Sequence, residues 1–427
     1  MAAFGKKGSP GRFSGGLFLF SGITRKILDR CAEIPRRGPH VHLVSGEVDS
    51  ILPRHPVGPV VGSVYPEGRG IMSRVVHVVG TGTIGEPLIG LLCHFKDQLG
   101  IDEVTFNKRT PRLIDRSKVK NMLDRGASLS TSQEAMSGFE KLGMRPSYDT
   151  RTAIERSSVV IDCTPSGAGL ANKEEYYKAA NSVMGFVAQG SEFGFGKMYA
   201  RGINDEALVA GEDRFLHVVS CNTHNLAAII KTMALGNGTL PNNLISADFV
   251  CMRRANDVSQ DSGYAPSPQV GRHKDERFGT HHARDAYHLF RTVGREYTRL
   301  FSSAVKLNSQ YMHTLRFKLH VEEPTTMEEL LTRVKENDRL ARTYKKSANQ
   351  VFSFGRDHGF FGRILNQTVI PHETLSIVDG TEITGFCFTP QDGNSLLSSV
   401  AISTWLLDPD TYEEKLQVLK PWFFEEV

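Results

Sequence analysis

One stretch near residue 80 restricts the possible folds more than any other part of the chain. The apolar run "SRVVHVV" at 73–79 is followed by "GTGTIG" at 80–85 and by an apolar helical stretch from Leu88 to Phe95. A buried strand, a glycine-rich turn and a helix in this order are typical of a dinucleotide-binding unit. Its three glycines (Gly80, Gly82 and Gly85) permit the tight turn, the approach of a pyrophosphate and the packing of helix on strand. A glycine-rich turn in an α/β protein without a nucleotide is the alternative.

Further strand-like runs follow at 102–110, 157–169 and 183–194, with helical segments between them. This alternation predicts βαβ units and a parallel sheet, whose ligands bind beyond the carboxyl ends of the strands. Thr164, Gly190 and Cys221 are expected on that rim. Lys108 and Arg109 follow the second strand, where an acid for the ribose hydroxyls of NAD is common, so NADP is plausible. A solvated basic loop is the alternative for this pair.

Composition limits the class of protein and its compartment. The chain has 427 residues, a formal net charge of +4 and six dispersed cysteines without a C-x-x-C pair. These values favour a globular protein of two or three domains in a reduced, cytoplasmic compartment, with no nucleic-acid partner. No apolar run is long enough to cross a membrane. Residues 1–71 are rich in Gly and Pro and carry ten basic and five acidic residues, so we expect a poorly ordered extension.

The fold class predicted is α/β, with a Rossmann-type dinucleotide-binding domain over 72–219. The strands beyond Cys221 alternate less regularly with helices, so an α+β catalytic domain with a mixed or antiparallel sheet is expected over 220–390. A C-terminal helical segment at 391–427 is predicted to return to the first domain.

The stretch "SCNTHN" at 220–225 places a cysteine between a strand-like run and a helix-like run. A helix N-terminus stabilises a thiolate, which would make Cys221 a nucleophile of lowered pKa. A buried, inert thiol is the alternative. Asn222 and Thr223 suit the first helical turn and could donate hydrogen bonds to a substrate oxygen.

Seven stretches occur in one order: "GTGTIG", "VVIDCTPSGAGLANKEEYY", "FVAQGSE", "VVSCNTHNL", "MRRANDV", "THHARD" and "TPQDGN". With them the chain resembles the archaeal-type (type II) glyceraldehyde-3-phosphate dehydrogenase family over roughly residues 72–410. The resemblance implies a homotetrameric enzyme that converts D-glyceraldehyde 3-phosphate, phosphate and NAD or NADP into 1,3-bisphosphoglycerate. Cys221 would form a thiohemiacetal, hydride transfer would leave a thioester, and phosphate would cleave it.

The resemblance also assigns roles to individual residues. His313 corresponds to the second histidine of a Met-His-x-His pattern and would be the base. Further substrate contacts would come from Ser220, Asn222, Thr223, Arg253, Arg254, His281 and His282. The dinucleotide would contact Gly80, Gly82, Thr83, Ile84, Gly85, Lys108, Arg109, Thr164, Gly190 and Gln391. His281, Asp285 and His288 could share a helix face, but no metal site is predicted.

The chain departs from the family at His224 and Asn225, where Thr-Gly is common directly after Ser-Cys-Asn-Thr. We expect both residues near the substrate pocket, where they would alter the choice of substrate. Two other hypotheses remain open. One is a semialdehyde dehydrogenase or acyl-phosphate reductase of similar layout, and the other is a non-catalytic nucleotide sensor that retains the Rossmann domain.

Overall fold

Parallel strands from the first half of the chain form one sheet in the computed structural model, which describes residues 73–257, 260, 263–390 and 392–427. The predicted extension at 1–71 lies outside these residues. The strands are β1 (Val75–Val79), β2 (Glu103–Asn107), β3 (Ser128–Thr131), β4 (Tyr148–Asp149), β5 (Val159–Asp162), β6 (Gly185–Gly190), β7 (Lys197–Tyr199) and β8 (Phe215–Val219). Their order is β4-β3-β2-β1-β5-β6-β8-β7, so the strand order reverses between β1 and β5, where Rossmann sheets bind ligands.

The centre of this sheet is buried on both faces, which explains the nearly continuous apolar sequence of its strands. All five residues of β1 are buried, including His77, whose Nδ1 lies 2.6 Å from the hydroxyl of Thr105 on β2. Burial lowers the pKa of His77 to about 3, so the ring is neutral. The connecting helices are α1 (Gly85–His94), α2 (Arg116–Asp124), α3 (Met136–Lys141), α4 (Thr150–Glu155) and α5 (Ala168–Asn172).

A second sheet combines parallel and antiparallel pairs, as the less regular sequence pattern predicts. Its strands are β9 (Leu244–Arg253), β10 (Gln269–Val270), β11 (Leu300–Lys306), β12 (Thr314–Val321), β13 (Leu340–Thr343), β14 (Thr368–Pro371), β15 (Ser376–Val378) and β16 (Glu382–Phe388). Their order is β10-β11-β9-β12-β16-β14-β13, with β15 beside β16. The α/β fold class, with a Rossmann-type sheet and a mixed second sheet, is confirmed.

The remaining helices are α6 (Cys221–Ile229), α7 (His281–Arg291), α8 (Met327–Glu336), α9 (Ala348–His358), α10 (Gly393–Leu407) and α11 (Tyr412–Lys415). Every residue of α10 is buried, and the helix packs against β5, β6 and α1. It therefore brings the end of the chain back onto the first sheet. The exact division into two domains stays a prediction. No helix of the described segments combines the length and the apolarity that a membrane crossing requires.

Candidate active site

The glycine-rich loop between β1 and α1 meets the three backbone conditions of its motif. Gly80 has a φ of +95°, and a Cβ there would lie 3.0 Å from the carbonyl oxygen of Cys163. A Cβ on Gly85 would overlap the carbonyl oxygen of Gly80, so only glycine can start the helix at this position. A Cβ on Gly82 would meet no atom within 4 Å, which leaves open space over the loop. The loop therefore has room for a pyrophosphate at the N-terminus of α1.

The two non-glycine positions at the end of this loop have different surroundings. Ile84 caps the start of α1, whereas the hydroxyl of Thr83 donates a hydrogen bond of 3.1 Å to Oδ2 of Asp257, just after β9. The loop is thus joined to the second sheet. Lys118 of α2, which sequence reasoning did not single out, donates from Nζ to the carbonyl oxygen of Thr81 at 3.1 Å. Its ammonium group also pairs with Glu86 of α1 at 3.2 Å, so its positive charge beside the loop is balanced.

The basic pair after β2 contains one engaged and one exposed side chain. Nζ of Lys108 lies 2.9 Å from a carboxylate oxygen of Asp115. Arg109 is exposed, and none of the described residues forms an ion pair with it. Asn107, in the position where an acid would face the ribose, donates from Nδ2 to the hydroxyl of Thr150 at 2.9 Å. Arg109 is therefore an exposed cation at this end of the sheet.

The ends of β5 and β6 form the next part of the rim. The backbone amide of Thr164 donates a hydrogen bond of 2.9 Å to Oδ1 of the buried Asp162, which holds the turn after β5. Gly190 has a φ of +80°, and a Cβ there would meet nothing within 4 Å. Its carbonyl oxygen lies 2.7 Å from Nε2 of His217 on β8. Gly190 thus leaves open space on the same rim as Gly82.

Cys221 is the first residue of α6, directly after β8. Ser220 is the N-cap: its hydroxyl accepts a hydrogen bond of 3.4 Å from the backbone amide of Thr223, which satisfies one free donor of the first turn. The carbonyl oxygen of Cys221 accepts a hydrogen bond of 3.0 Å from Nδ2 of Asn394 on α10. The cysteine is partly exposed, whereas the eight residues after it in the helix are buried. The sequence therefore placed this thiol correctly at a helix N-terminus.

The pKa of the Cys221 thiol differs from the sequence expectation. Burial, followed by the negative charge of Asp392, raises it to about 11, and the positive charges of Arg254 and Arg253 only partly oppose this. The sequence predicted a lowered pKa because it showed the helix N-terminus and not the surrounding protein. In the free protein the thiol is therefore protonated at neutral pH.

This difference gives a prediction about alkylation of Cys221. Only the thiolate reacts, so with a pKa of about 11 the rate constant for iodoacetamide should rise about tenfold per pH unit between about pH 7 and pH 9. Mass spectrometry of the Cys221 peptide, in the protein without dinucleotide, measures this rate. Cys93, which is also partly exposed, is the internal control for general exposure. A rate that levels off below about pH 8 would contradict the raised pKa and restore the sequence expectation.

Arg253 and Arg254 lie in unlike environments although they are adjacent. The side chain of Arg254 is 5% exposed, and its Nη2 lies 2.6 Å from Asp257 and 3.4 Å from Asp392. Arg253 is exposed, and no ion pair joins it to any residue that the structure describes. The charge of Arg254 is thus balanced by two carboxylates, whereas the guanidinium of Arg253 is exposed. The roles of both arginines in substrate binding stay predictions.

Arg253 is close to several of the other candidate groups. Burial raises the pKa of Cys221 and lowers the pKa values of His281, His282 and His313. The positive charge of Arg253 lowers the pKa of all four groups. The chain thus brings together residues from α6, β9, α7 and the start of β12. All of them lie within the range of the charge of Arg253.

His313 lies in this cluster with one ring nitrogen already engaged. Its Nδ1 accepts a hydrogen bond of 3.0 Å from the backbone amide of Arg254, so the neutral ring carries its proton on Nε2. Burial, Arg254 and Arg253 hold the pKa of His313 well below its usual range. The ring can therefore accept a proton only if the bond from Arg254 opens. The assignment of His313 as the base stays a prediction.

The paired histidines lie at the start of α7, facing the start of α6. Nδ1 of His282 is 3.3 Å from the hydroxyl of Ser220, and Nε2 of His281 is 3.2 Å from the hydroxyl of Ser191. Asp285, one turn along, is bound by Arg284 at 2.8 Å. Within the described ranges, no three His, Cys, Asp or Glu side chains are arranged to hold a metal ion.

The expectation that His224 and Asn225 lie near the substrate pocket and alter the choice of substrate stays a prediction. Both residues are fully buried in α6. Nε2 of His224 lies 2.7 Å from the hydroxyl of Ser398 on α10, and Nδ2 of Asn225 donates to the hydroxyl of Thr389 at 2.7 Å. A helix that begins at Cys221 turns its fourth and fifth residues inward, so these side chains join α6 to neighbouring elements.

Sequence reasoning missed the acids and hydroxyls that hold these groups. Arg254 contacts Asp257 and Asp392, and Asn222 contacts Thr389. Each of these partners lies far along the chain or in a loop without a periodic pattern. In "RRAND" and "TPQDGN", the sequence predicts roles only for the two arginines and the glutamine. Gln391, the predicted cofactor contact, lies outside the described residues.

Sequence comparisons give a consistent set of relatives. A glyceraldehyde-3-phosphate dehydrogenase of Methanococcoides burtonii is 24% identical over 319 residues, which is 72% of this chain and 87% of that protein. Those of Methanobacterium bryantii and Metallosphaera sedula are 26% and 25% identical, over 72% of this chain and 86% and 85% of their own lengths. The chain is a distant relative of the archaeal glyceraldehyde-3-phosphate dehydrogenases. No family model matches the sequence.

The relationship to these dehydrogenases includes both sheets, because an alignment of 319 residues is longer than the segment that forms either one. The family suggested by the sequence motifs is therefore confirmed as a distant relationship. Identities near one quarter leave the roles of individual residues to be argued from their contacts.

Proposed function

We propose that this chain is a phosphorylating aldehyde dehydrogenase, an oxidoreductase that oxidises D-glyceraldehyde 3-phosphate in the presence of inorganic phosphate and NAD or NADP. The observation that carries the proposal is the exposed guanidinium of Arg253, whose positive charge lowers the pKa of the thiol of the partly exposed residue Cys221. A nucleophile within the range of an exposed cation suits an aldehyde that bears a phosphate group. The similarity to glyceraldehyde-3-phosphate dehydrogenases supports the same substrate.

The residues on the rim of the first sheet fit a nicotinamide dinucleotide. Gly82 and Gly190 leave open space and Arg109 supplies positive charge, so these residues would hold the pyrophosphate and the adenosine end. When bound, the dinucleotide supplies the oxidising step by accepting a hydride. The open space over two glycines is the feature of this chain that fits such a group.

Cys221 performs the covalent chemistry in this proposal. Its sulfur adds to the aldehyde carbon, the thiol loses its proton, and the carbonyl oxygen becomes the hydroxyl of a thiohemiacetal. After oxidation to a thioester, an oxygen of inorganic phosphate attacks the same carbon and the thiolate leaves, which releases the acyl phosphate. Forming this bond divides one difficult reaction into two easier ones. Arg253 would hold an anion, either the substrate phosphate or the attacking one.

His313 is the proposed group for proton transfer. In the observed arrangement its proton is on Nε2, so the neutral ring first donates a hydrogen bond to the substrate oxygen and keeps that proton. It can take up a proton only when the bond from the Arg254 amide opens. The His281 and His282 pair is proposed to line the substrate side of the pocket, since His282 contacts the residue before the nucleophile.

The exposed side chain after β2 gives a prediction on cofactor choice. Arg109→Ala should weaken NADP binding about tenfold, because a hydrogen bond to a charged group contributes about 1.5 to 3 kcal/mol, whereas NAD affinity should stay within about twofold. Fluorescence titration with each dinucleotide measures this. Arg112→Ala is the matched control, since Arg112 is exposed but already pairs with Asp115 at 3.0 Å. Equal weakening of NAD and NADP would contradict a role in binding the 2′-phosphate.

The function itself is tested by steady-state assay of the full chain. Reduction of NAD or NADP should depend on both D-glyceraldehyde 3-phosphate and inorganic phosphate, with a higher kcat/KM than for aspartate semialdehyde. A preference for the semialdehyde would favour the related reductases. Dinucleotide binding without oxidation of either aldehyde would favour a nucleotide sensor. The homotetramer and the cytoplasmic location that the resemblance implies remain predictions.

A further inference from the structure

Asn222 is the residue directly after the nucleophile, and its side-chain oxygen is held in place. The side chain is buried on the inner side of α6, and its Oδ1 accepts a hydrogen bond of 3.1 Å from the hydroxyl of Thr389. Its Nδ2 has no hydrogen-bond partner in the described part of the chain. One end of this amide is therefore fixed, and the other is available.

The direction of the hydrogen bonds follows from the groups involved. Nδ2 of Asn225 donates to the hydroxyl of Thr389 at 2.7 Å. A hydroxyl has one proton, and since its oxygen already accepts from Asn225, that proton is available for Oδ1 of Asn222. The three side chains form a buried relay from Asn225 through Thr389 to Asn222, which leaves the amide nitrogen of Asn222 as the free donor.

Thr389, the middle residue of this relay, also contacts His313, the candidate for proton transfer. The backbone amide of Thr389 donates a hydrogen bond of 3.0 Å to the carbonyl oxygen of His313. Thr389 thus fixes both the side chain next to Cys221 and the main chain of His313. Asn222, Asn225 and Thr389 are buried and His313 is partly buried, so the amide of Asn222 has little freedom to turn.

We propose that Asn225 and Thr389 are positioning residues that hold the Asn222 amide with its nitrogen directed at the substrate, where Nδ2 donates to the carbonyl oxygen as Cys221 adds to the carbon. This inference rests on the proposed function. Charge develops on that oxygen when the carbon–sulfur bond forms. A donor fixed in advance stabilises this charge without reorganisation during the reaction. His313 would donate a hydrogen bond to the same oxygen.

The test compares Thr389→Val, which removes the hydroxyl at nearly constant volume, with Thr389→Ser, which retains it. Loss of a fixed donor to a developing oxyanion costs about 100-fold or more, and a donor that only loses its orientation should cost less. We expect Thr389→Val to lower kcat for aldehyde oxidation about 10- to 100-fold and Thr389→Ser to restore most of it. The KM for the dinucleotide and the alkylation rate of Cys221 should be unchanged, because neither involves the carbonyl oxygen.

Thr368→Val is the matched control. Thr368 is equally buried on the neighbouring strand β14, and its hydroxyl donates to the carbonyl oxygen of Phe388 at 3.4 Å. The kcat of this variant should stay within about threefold of the wild-type value, because the hydroxyl of Thr368 contributes only to packing. If Thr389→Val does not fold, Asn225→Ala removes the first donor of the relay and should lower kcat about 3- to 10-fold on the same reasoning.

Each outcome separates the relay from the proposed function. An active wild type with an equally active Thr389→Val overturns the relay alone. Parallel losses of kcat, thermal stability and Cys221 alkylation in Thr389→Val, without restoration by serine, overturn the positioning role in favour of a packing role. A wild type that oxidises no aldehyde overturns the proposed function and the relay together.

Discussion

Cys221→Ser is expected to lower the rate of aldehyde oxidation by about 10⁴-fold or more, the scale seen when a catalytic nucleophile is removed. A serine hydroxyl at this helix N-terminus ionises far less readily than a thiol and is a poorer nucleophile toward the aldehyde. Dinucleotide affinity should stay within a few-fold, because the rim residues that would hold it lie on other strands of the first sheet. Single-turnover formation of reduced dinucleotide and a binding titration measure the two quantities.

Cys93→Ser is the matched control for this variant. Cys93 is also a partly exposed free cysteine, but it lies near the end of α1, away from the Arg253 cluster. Its substitution should leave turnover within about twofold. Substantial turnover in Cys221→Ser would exclude the covalent route proposed here. Loss of dinucleotide binding together with activity would instead indicate that the substitution disturbs the fold.

The parts of the site that the sequence predicted well are those set by local physics. The glycines at 80, 82 and 85 each meet a steric condition that arises within a few residues of the turn. The position of Cys221 at the start of a helix follows from an apolar strand, a serine cap and an apolar helix in direct succession. The capping box of α8, between Thr326 and Glu329, is another pattern set within a few residues. Short-range patterns of this kind can be read without the tertiary structure.

The parts that the sequence could not predict depend on contacts between distant segments. Arg254 is neutralised by Asp392, which follows it by 138 positions, and His224 is bound by Ser398, which follows it by 174. Neither separation leaves a periodic signal. The raised pKa of Cys221 has the same origin, because desolvation depends on which elements pack around the thiol. Adjacent arginines therefore looked equivalent in the sequence but have different surroundings.

Arg254→Met is expected to destabilise the protein by about 3 to 5 kcal/mol, the usual cost of removing one partner of a buried ion pair. The methionine would leave the carboxylate of Asp392, which is 5% exposed, without its cation. Asp257 is 37% exposed and can be hydrated, so it contributes less. Urea unfolding, followed by circular dichroism, measures the change in the free energy of unfolding.

Arg253→Met provides the matched control, since it makes the same chemical change one residue earlier on an exposed side chain. It should change stability by no more than about 0.5 kcal/mol while raising the KM of the phosphorylated substrate. Equal stability of the two variants would contradict the ion pairs described for Arg254. A stable Arg254→Met with a raised KM would instead assign the phosphate site to Arg254.

The destabilisation of Arg254→Met should also shrink as the pH falls from about 8 toward 5. Burial raises the pKa of Asp392 above its ordinary value, and Arg254 opposes that shift, so the pKa rises further when the arginine is removed. Such a carboxyl group has a higher pKa in the folded than in the unfolded state. As the pH rises from the unfolded-state pKa to the folded-state pKa, the free energy of unfolding falls, because the group ionises more easily in the unfolded chain. Protonation at lower pH removes the uncompensated charge, so the difference between Arg254→Met and Arg253→Met should narrow. A difference independent of pH would mean that Asp392 is not the group left unpaired.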